Sequence, residues 1–400
     1  MQNRELKIIR NLFAGSLLCS VVLIFLLTLA KTKWIILLLA VFGFAVLLWV
    51  IGARLHRNQK RIEWLLSLAV INLFIVVPEL ALRVANFRYD SGIQFGYPLP
   101  SEFVYYEPDE TLWWKLKSSE PNVNSLGFRG KEIVVPKPEN VYRILFLGDS
   151  VTQQGFPDML EHFLNAKFPN AAKRFECVKL AVAGYSSHQG RLLAEMYGEK
   201  HEPDIAFVYY GWNDHWQAFG STDSEKVFKA TNAKWSGISS FAYRNLRILQ
   251  GLNSIRCSLL GLNTPLTEVR VPKEDYANNL RKIHEIFEKQ NIPTVFITAP
   301  TSHYRLGVPE YLIARKAIPD KSSAAELHKT YNQIVREVAQ TANSFLLDLE
   351  TEFTSTSTEN LEEIFMKDGI HLTAIGLSVI AKRIFDFIQA DLRPYLLSGS

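Results

Sequence analysis

Cysteine is scarce, three in 400 residues, with no CxxC and no His/Cys cluster. A disulfide scaffold and a zinc site are therefore not expected, and packing is the expected role of Cys19, Cys177 and Cys257. Glycine (21) and proline (17) are too few for a collagenous or low-complexity chain, and the hydrophobic content of 48% excludes disorder. No internal repeat is present. No GxxxxGK followed by Ser or Thr occurs, and Gly148 and Gly155 lack the GxGxxG spacing, so a phosphate cradle has no support. An excess of one charge is also missing: 44 Lys/Arg against 40 Asp/Glu leave +4, too dilute for a nucleic-acid partner.

Long hydrophobic runs, by contrast, are present. Residues 12–30 and 34–53 carry no charge, and each is roughly 30 Å long as a helix, the thickness of a bilayer core. A third run, 64–83, has Pro78 and Glu79 near its far end; Glu79 is expected near the interface rather than as an intramembrane functional carboxylate. Arg4, Lys7, Arg10, Arg54, Arg57, Lys60 and Arg61 fall on one side of the three runs. Lys31, Lys33, Arg83 and Arg88 fall on the other, which puts the N-terminus in the cytoplasm. Residues 1–85 thus read as a three-helix anchor in the cytoplasmic membrane, with the lipid bilayer as partner and the rest of the chain extracytoplasmic. A cleaved signal peptide ending near Thr28 and Ala30 is the competing reading. A lipid anchor at Cys19 is disfavoured, because Leu18 precedes it and the apolar run continues past it. The anchor holds ten Lys/Arg and three Asp/Glu, leaving 34 and 37 for residues 86–400. The basicity belongs to the anchor.

Residues 86–140 are rich in aromatics, Pro, Gly and Ser without helical period, and read as an irregular or β-rich lead-in whose tryptophans pack rather than bind sugar. From residue 141 to 400 strands and helices alternate. Strand-like runs are Tyr142–Leu147, Cys177–Ala183, Ile205–Tyr210, Thr294–Thr298 and Phe345–Leu349. Helical stretches include Glu161–Lys167, Arg191–Lys200, Lys273–Gln290, Ala324–Gln340 and Thr373 to about Gln389. This pattern predicts an α/β fold, a parallel sheet covered on both faces, with ligands beyond the carboxyl ends of the strands. Residues 215–272 show no clear strand and read as a helical insertion.

The chemistry-bearing residues follow the strands. Gly148-Asp149-Ser150-Val151-Thr152-Gln153-Gln154-Gly155 follows the first, Ala183-Gly184-Tyr185-Ser186 the second and Gly211-Trp212-Asn213-Asp214 the third. Asp368-Gly369-Ile370-His371 precedes the last helix. A serine nucleophile needs a base, and the base needs a carboxylate that sets its tautomer. Asp368 and His371, three residues apart, meet the second need locally. Backbone amides of Ser150 and Gly184 with the side-chain amide of Asn213 would supply oxyanion donors. Singly, each residue has a plain structural use: caps for Asp149 and Ser150, a turn for Gly184, a loop for Asn213, a helix start for His371.

Together the four blocks resemble the SGNH (GDSL-type) hydrolase superfamily, over about residues 141 to 390. Its hallmark Ser, Gly, Asn and His match Ser150, Gly184, Asn213 and His371, and the GxND and DxxH patterns stand as GWND and DGIH. The resemblance implies a three-layer α/β/α, flavodoxin-like parallel sheet. It implies Ser150 as nucleophile, Asp368 and His371 as its partners, and Ser150, Gly184 and Asn213 as the oxyanion hole. Asp149, Thr152, Asp214, His215 and His303 are candidates for support or substrate contact. Asn124–Gly130 (NSLGFRG) resembles a segment ahead of the catalytic domain in membrane-anchored bacterial relatives. The expected activity is serine esterase action on small acyl esters, such as O-acetyl groups on a surface polysaccharide, with no metal and no cofactor. An O-acyltransferase with a sugar hydroxyl as acceptor and a non-catalytic envelope-assembly scaffold are the alternatives.

Overall fold

The computed structural model describes residues 78–87, 89, 105–219, 221–226, 242–243, 245–260, 265–314, 317–392 and 394. The chain divides into two compact units, residues 1–90 with 238–256, and residues 91–237 with 257–400. The apolar runs 12–30 and 34–53, and most of 64–83, lie outside the described residues. Among the described residues no helix is long and apolar enough to cross a membrane.

In the first unit residues 78–84 are helical. Glu79 pairs with Arg83 at 2.7 Å, and its other oxygen accepts the Ile248 N–H at 2.7 Å, near the start of helix Arg247–Leu259. A carboxylate there satisfies one of the N–H groups that a helix start leaves unpaired. Glu79 therefore has a structural use within its own unit.

The second unit opens with an antiparallel hairpin, β1 (Tyr106–Asp109) and β2 (Trp113–Leu116). Trp113 and Trp114 are buried, as the packing reading requires. In the segment that follows, the Asn124 side-chain oxygen accepts the N–H groups of Leu126 and Phe128 at 3.1 and 3.0 Å, which closes a turn and drives Phe128 into the core. The lead-in falls mostly inside the same compact unit as the sheet.

The sheet follows. Its members are β3 (Val141–Gly148), β4 (Arg174–Ala181), β5 (Ile205–Tyr209) and, beyond a two-stranded ribbon of β6 (Gln217–Phe219) and β7 (Pro265–Val269), β8 (Thr294–Ile297) and β9 (Phe345–Leu347). The spatial order is β4-β3-β5-β8-β9, every pair parallel. Counted along the chain this is the order 2-1-3-4-5 of flavodoxin-like doubly wound sheets. The direction of winding reverses between β3 and β5, so the crevice that binds ligands opens beyond the carboxyl ends of those two strands.

The helices that matter here are α1 (Ser150–Gln153), α2 (Phe156–Lys167), α3 (Ser187–Leu193), α4 (Lys273–Glu288), α5 (Lys321–Thr341) and α6 (Ala374–Asp391). Side chains of a strand alternate between faces, so an unbroken apolar strand needs cover on both. On β3, Tyr142, Ile144 and Phe146 join Leu160 and Leu164 of α2 and Ile380 and Ile384 of α6. Leu145 and Leu147 join the opposite core, with Leu280, Ile283 and Phe287 of α4 and Val335 and Val338 of α5. The result is three layers, α/β/α.

Residues 215–272 depart from the strandless reading, since β6 and β7 pair at their two ends. A three-residue strand is too short to show alternation, and β7 begins on Pro265, a residue confined to strand starts and edges. Within this stretch, residues 238–256 group with the N-terminal unit rather than with the sheet.

Candidate active site

Ser150 stands two residues beyond β3, at the first position of α1. Its neighbour Asp149 turns the chain: one side-chain oxygen accepts the Val151 N–H at 2.9 Å and caps the helix. Ser150, Gly184, Asp368 and His371 are half-buried, which leaves them reachable, whereas Asp149, Asn213 and Asp214 are buried.

The turn Asp368–His371 brings its histidine to the serine. His371 Nε2 lies 2.8 Å from Ser150 Oγ, and His371 Nδ1 lies 2.7 Å from Asp368 Oδ2. Asp368 Oδ1 also accepts the backbone N–H groups of Ile370 and His371 at 2.9 and 2.8 Å. Burial pushes the Asp368 carboxyl up, but His371 and those N–H groups outweigh it and hold the pKa below its ordinary value. Burial pulls the His371 imidazole down, but the hydrogen bond and charge of Asp368, with the charge of Asp149, leave it above the ordinary histidine value. Because the carboxylate only accepts, Nδ1 carries the proton and the Nε2 lone pair faces the Ser150 hydroxyl. This is the tautomer that a general base for a serine requires.

The backbone of Ala183–Tyr185 follows β4, and Gly184 takes a left-handed φ of 85°. Of its six polar groups, five are engaged. Ala183 N–H donates to Gln153 Oε1 and Tyr185 N–H to the Val182 carbonyl. The three carbonyls accept in turn from Trp114 Nε1, Arg270 Nη1 and Asn213 Nδ2. The sixth, the N–H of Gly184, donates to nothing among the described residues, and the same holds for the N–H of Ser150. Two open N–H groups beside a serine–histidine pair can receive an incoming oxygen. Asn213, in contrast, already spends its amide on the protein. It donates to Asp149 Oδ2 at 3.2 Å and to the Tyr185 carbonyl at 3.0 Å. An oxyanion role for Asn213 requires one of these hydrogens to be shared with the substrate oxygen.

The five residues expected to support the site or touch substrate divide as follows. Asp149 is fully buried, and burial pushes its carboxyl up to about 6 against the pull of Val151, His371 and Asn213. Thr152 is buried against Gly148, where a Cβ would come within 2.1 Å of its hydroxyl oxygen. Asp214 accepts the Ser187 N–H at 2.8 Å, and burial pushes it up to about 7. His215 is buried and bonded to His328 at 2.9 Å. His328 Nε2 lies 2.8 Å from the Ala299 carbonyl, which can only accept. The proton of His328 is thus on Nε2, and His215 Nε2 donates to His328 Nδ1. His303 donates from Nε2 to the Asp368 carbonyl at 2.7 Å. These contacts fit support, with His303 gripping the turn that carries Asp368 and His371.

Several supports carry no signature in sequence. Gln154 bonds both the carbonyl and the N–H of Leu372, at 2.9 and 3.0 Å, tying α1 to the residue after His371. Thr301 Oγ1 donates to the Gly369 carbonyl at 2.9 Å. Trp212 stacks on His328 with ring centres 3.8 Å apart. Arg270 is fully buried and forks onto Asp223, which also accepts from Lys226 and Ser186. Gln153, Gln154, Ser186 and Trp212 lie within the blocks that follow the strands. The others are ordinary residues in unremarkable stretches, brought in by the fold.

A metal has no donor cluster among the described residues. No curated protein matches the chain. Solved structures similar to it include a lipase/acylhydrolase from Enterococcus faecalis, at 15% identity and a TM-score of 0.40 over 62% of this chain and 95% of that one. An acetyl xylan esterase gives 17% and 0.40 over 62% and 99%, and a GDSL-like lipase from Bacteroides thetaiotaomicron 13% and 0.38 over 63% and 88%. A model of the GDSL-like lipase/acylhydrolase family matches residues 146–377, which contain every residue of the site just described except those of the hairpin. With more than half of its length inside that match, the chain belongs to the GDSL-like lipase/acylhydrolase family and is an ester-hydrolysing enzyme.

Proposed function

We propose that the chain is a serine esterase in which Ser150, His371 and Asp368 form the triad. The observation that carries this reading is the continuous bond line from Asp368 Oδ2 through His371 to Ser150 Oγ, at 2.7 and 2.8 Å. Ser150 Oγ attacks the ester carbonyl while His371 Nε2 takes its proton. The resulting oxyanion lies on the N–H groups of Ser150 and Gly184, with Asn213 as a third donor once its amide is shared. Collapse expels the alcohol, which takes the proton from His371, and leaves an acyl group on Ser150. Water then attacks, gives a proton to His371, and the acid departs as the proton returns to Ser150.

The substrates proposed are small acyl esters, including O-acetyl groups on a surface polysaccharide. The enzyme is proposed to be held in the cytoplasmic membrane by residues 1–85, with the sheet unit outside the cytoplasm. The long uncharged runs and their flanking basic residues support that placement. Hydrolysis of p-nitrophenyl acetate by the full chain should disappear in Ser150→Ala, and a fluorophosphonate should label the wild type at Ser150. Equal rates in the two proteins would sink the mechanism.

A further inference from the structure

The hairpin ahead of the sheet reaches the reacting centre. Trp114, on β2, is fully buried, and its indole N–H donates to the Ala183 carbonyl at 3.1 Å. That carbonyl belongs to the same peptide unit as the Gly184 N–H. The Tyr185 hydroxyl returns a hydrogen bond to the Trp114 carbonyl, and the two rings pack with centres 5.5 Å apart. One strand thus grips the loop on both sides of Gly184.

We propose that Trp114 is a positioning residue of the oxyanion hole, aiming and polarising the Ala183–Gly184 peptide whose N–H meets the developing oxyanion. The proposal rests on the esterase reading above. Two physical effects follow from the bond. A planar peptide cannot rotate its N–H without rotating its C=O, so holding the carbonyl from one side points the N–H to the other. A donor on the carbonyl also shifts electron density toward oxygen, which strengthens the N–H as a donor in turn.

Backbone strain in the same hairpin is consistent with a constrained purpose. Trp113 has φ of 70°, a left-handed conformation that L residues other than glycine adopt rarely. Asp109 closes the loop before it, accepting the N–H groups of Thr111 and Leu112 at 3.0 and 2.8 Å. Such strain persists where the surroundings over-determine it. Here the surroundings are Trp113 stacked on His188 with centres 5.6 Å apart, and Trp114 locked onto the loop.

The test separates position from packing. In the full chain, Trp114→Phe removes the donor but also leaves a void, whereas Trp114→3-benzothienylalanine replaces only the N–H with sulfur and keeps the shape. With p-nitrophenyl acetate as substrate and phenylboronic acid as the tetrahedral mimic, both variants should lose kcat by roughly 10-fold, a fraction of what one whole oxyanion donor is worth. KM should stay within about twofold, and the boronate Ki should rise by the same factor as kcat falls, as for an interaction felt in the transition state. A benzothienylalanine variant with wild-type kcat and boronate Ki would overturn the proposal even if Trp114→Phe were impaired. A wild type indifferent to boronate, with Ser150→Ala at full rate, would overturn the esterase reading and the proposal together.

Discussion

His371 decides how the rate depends on pH. It must be neutral to accept a proton, and Asp368 and Asp149 hold its pKa above the ordinary histidine value despite burial. Activity should therefore rise with pH along a limb that lies above the usual imidazole range. In Asp368→Asn the charge that raises His371 is gone, so the limb should move to lower pH while the plateau falls, by ~10⁴-fold if this triad behaves like the serine proteases. A kcat/KM profile of both proteins checks the sign; a limb that stays in place would remove Asp368 from its role. Asn213 poses a separate question, because both its amide contacts are to protein. Asn213→Ala should lower kcat by about 10²–10³-fold if the amide is shared with the oxyanion. A loss in stability with kcat unchanged would make Asn213 only a brace for Asp149 and Tyr185. At this scale Ser150, Gly184, Asp368 and His371 stood out in sequence only through the four blocks taken together, and the structure joins Asp368, His371 and Ser150 in one bond line. Gln154, Arg270 and Trp114 did not stand out, because a glutamine, an arginine or a tryptophan has many uses.

Elements supply the precision that single residues lack. The Asp368–His371 turn has no regular structure of its own and is held from three directions: Thr301 and His303 on Gly369 and Asp368, Gln154 on Leu372, and Ser150 on His371. Gly369 is what lets the turn fit. Its φ is 71°, and a Cβ there would come within 2.4 Å of the His303 ring and 2.8 Å of the Ser302 hydroxyl. Gly369→Ala should cost roughly 2–4 kcal/mol, from left-handed strain plus overpacking. It should also lower kcat, because the turn moves with His371. Urea unfolding and steady-state rates measure both, and unchanged values would show that the turn is not clamped. The five sheet strands were legible as short apolar runs and the principal helices by their period of about 3.6. The β6–β7 ribbon and the β1–β2 hairpin are too short for period, and only pairing across the fold reveals them.

At the scale of the whole molecule, the two units carry different physics. The sheet unit is mildly acidic, 30 Lys/Arg against 36 Asp/Glu, and its winding reverses between β3 and β5. The N-terminal residues are cationic and strongly apolar. If the three runs cross the bilayer as proposed, a reporter active only in the cytoplasm, fused after residue 90, should be silent, and one active only outside should work. The reverse pattern would place the esterase unit in the cytoplasm.

Sequence alone singled out the candidate residues and the strands ahead of them, because four blocks in order match one family's pattern and buried strands read as apolar runs. It also determined that the positive surplus lies ahead of residue 86, where acidic residues are scarce, three against ten Lys/Arg. Only tertiary structure decided how the reacting groups are aimed. The bonds that do so run from Trp114 to Ala183, from Gln154 to Leu372 and from His303 to Asp368, between segments far apart along the chain. A hydrogen bond of this kind depends on the position and angle of two groups that folding brings together, and no local pattern in either segment encodes that meeting.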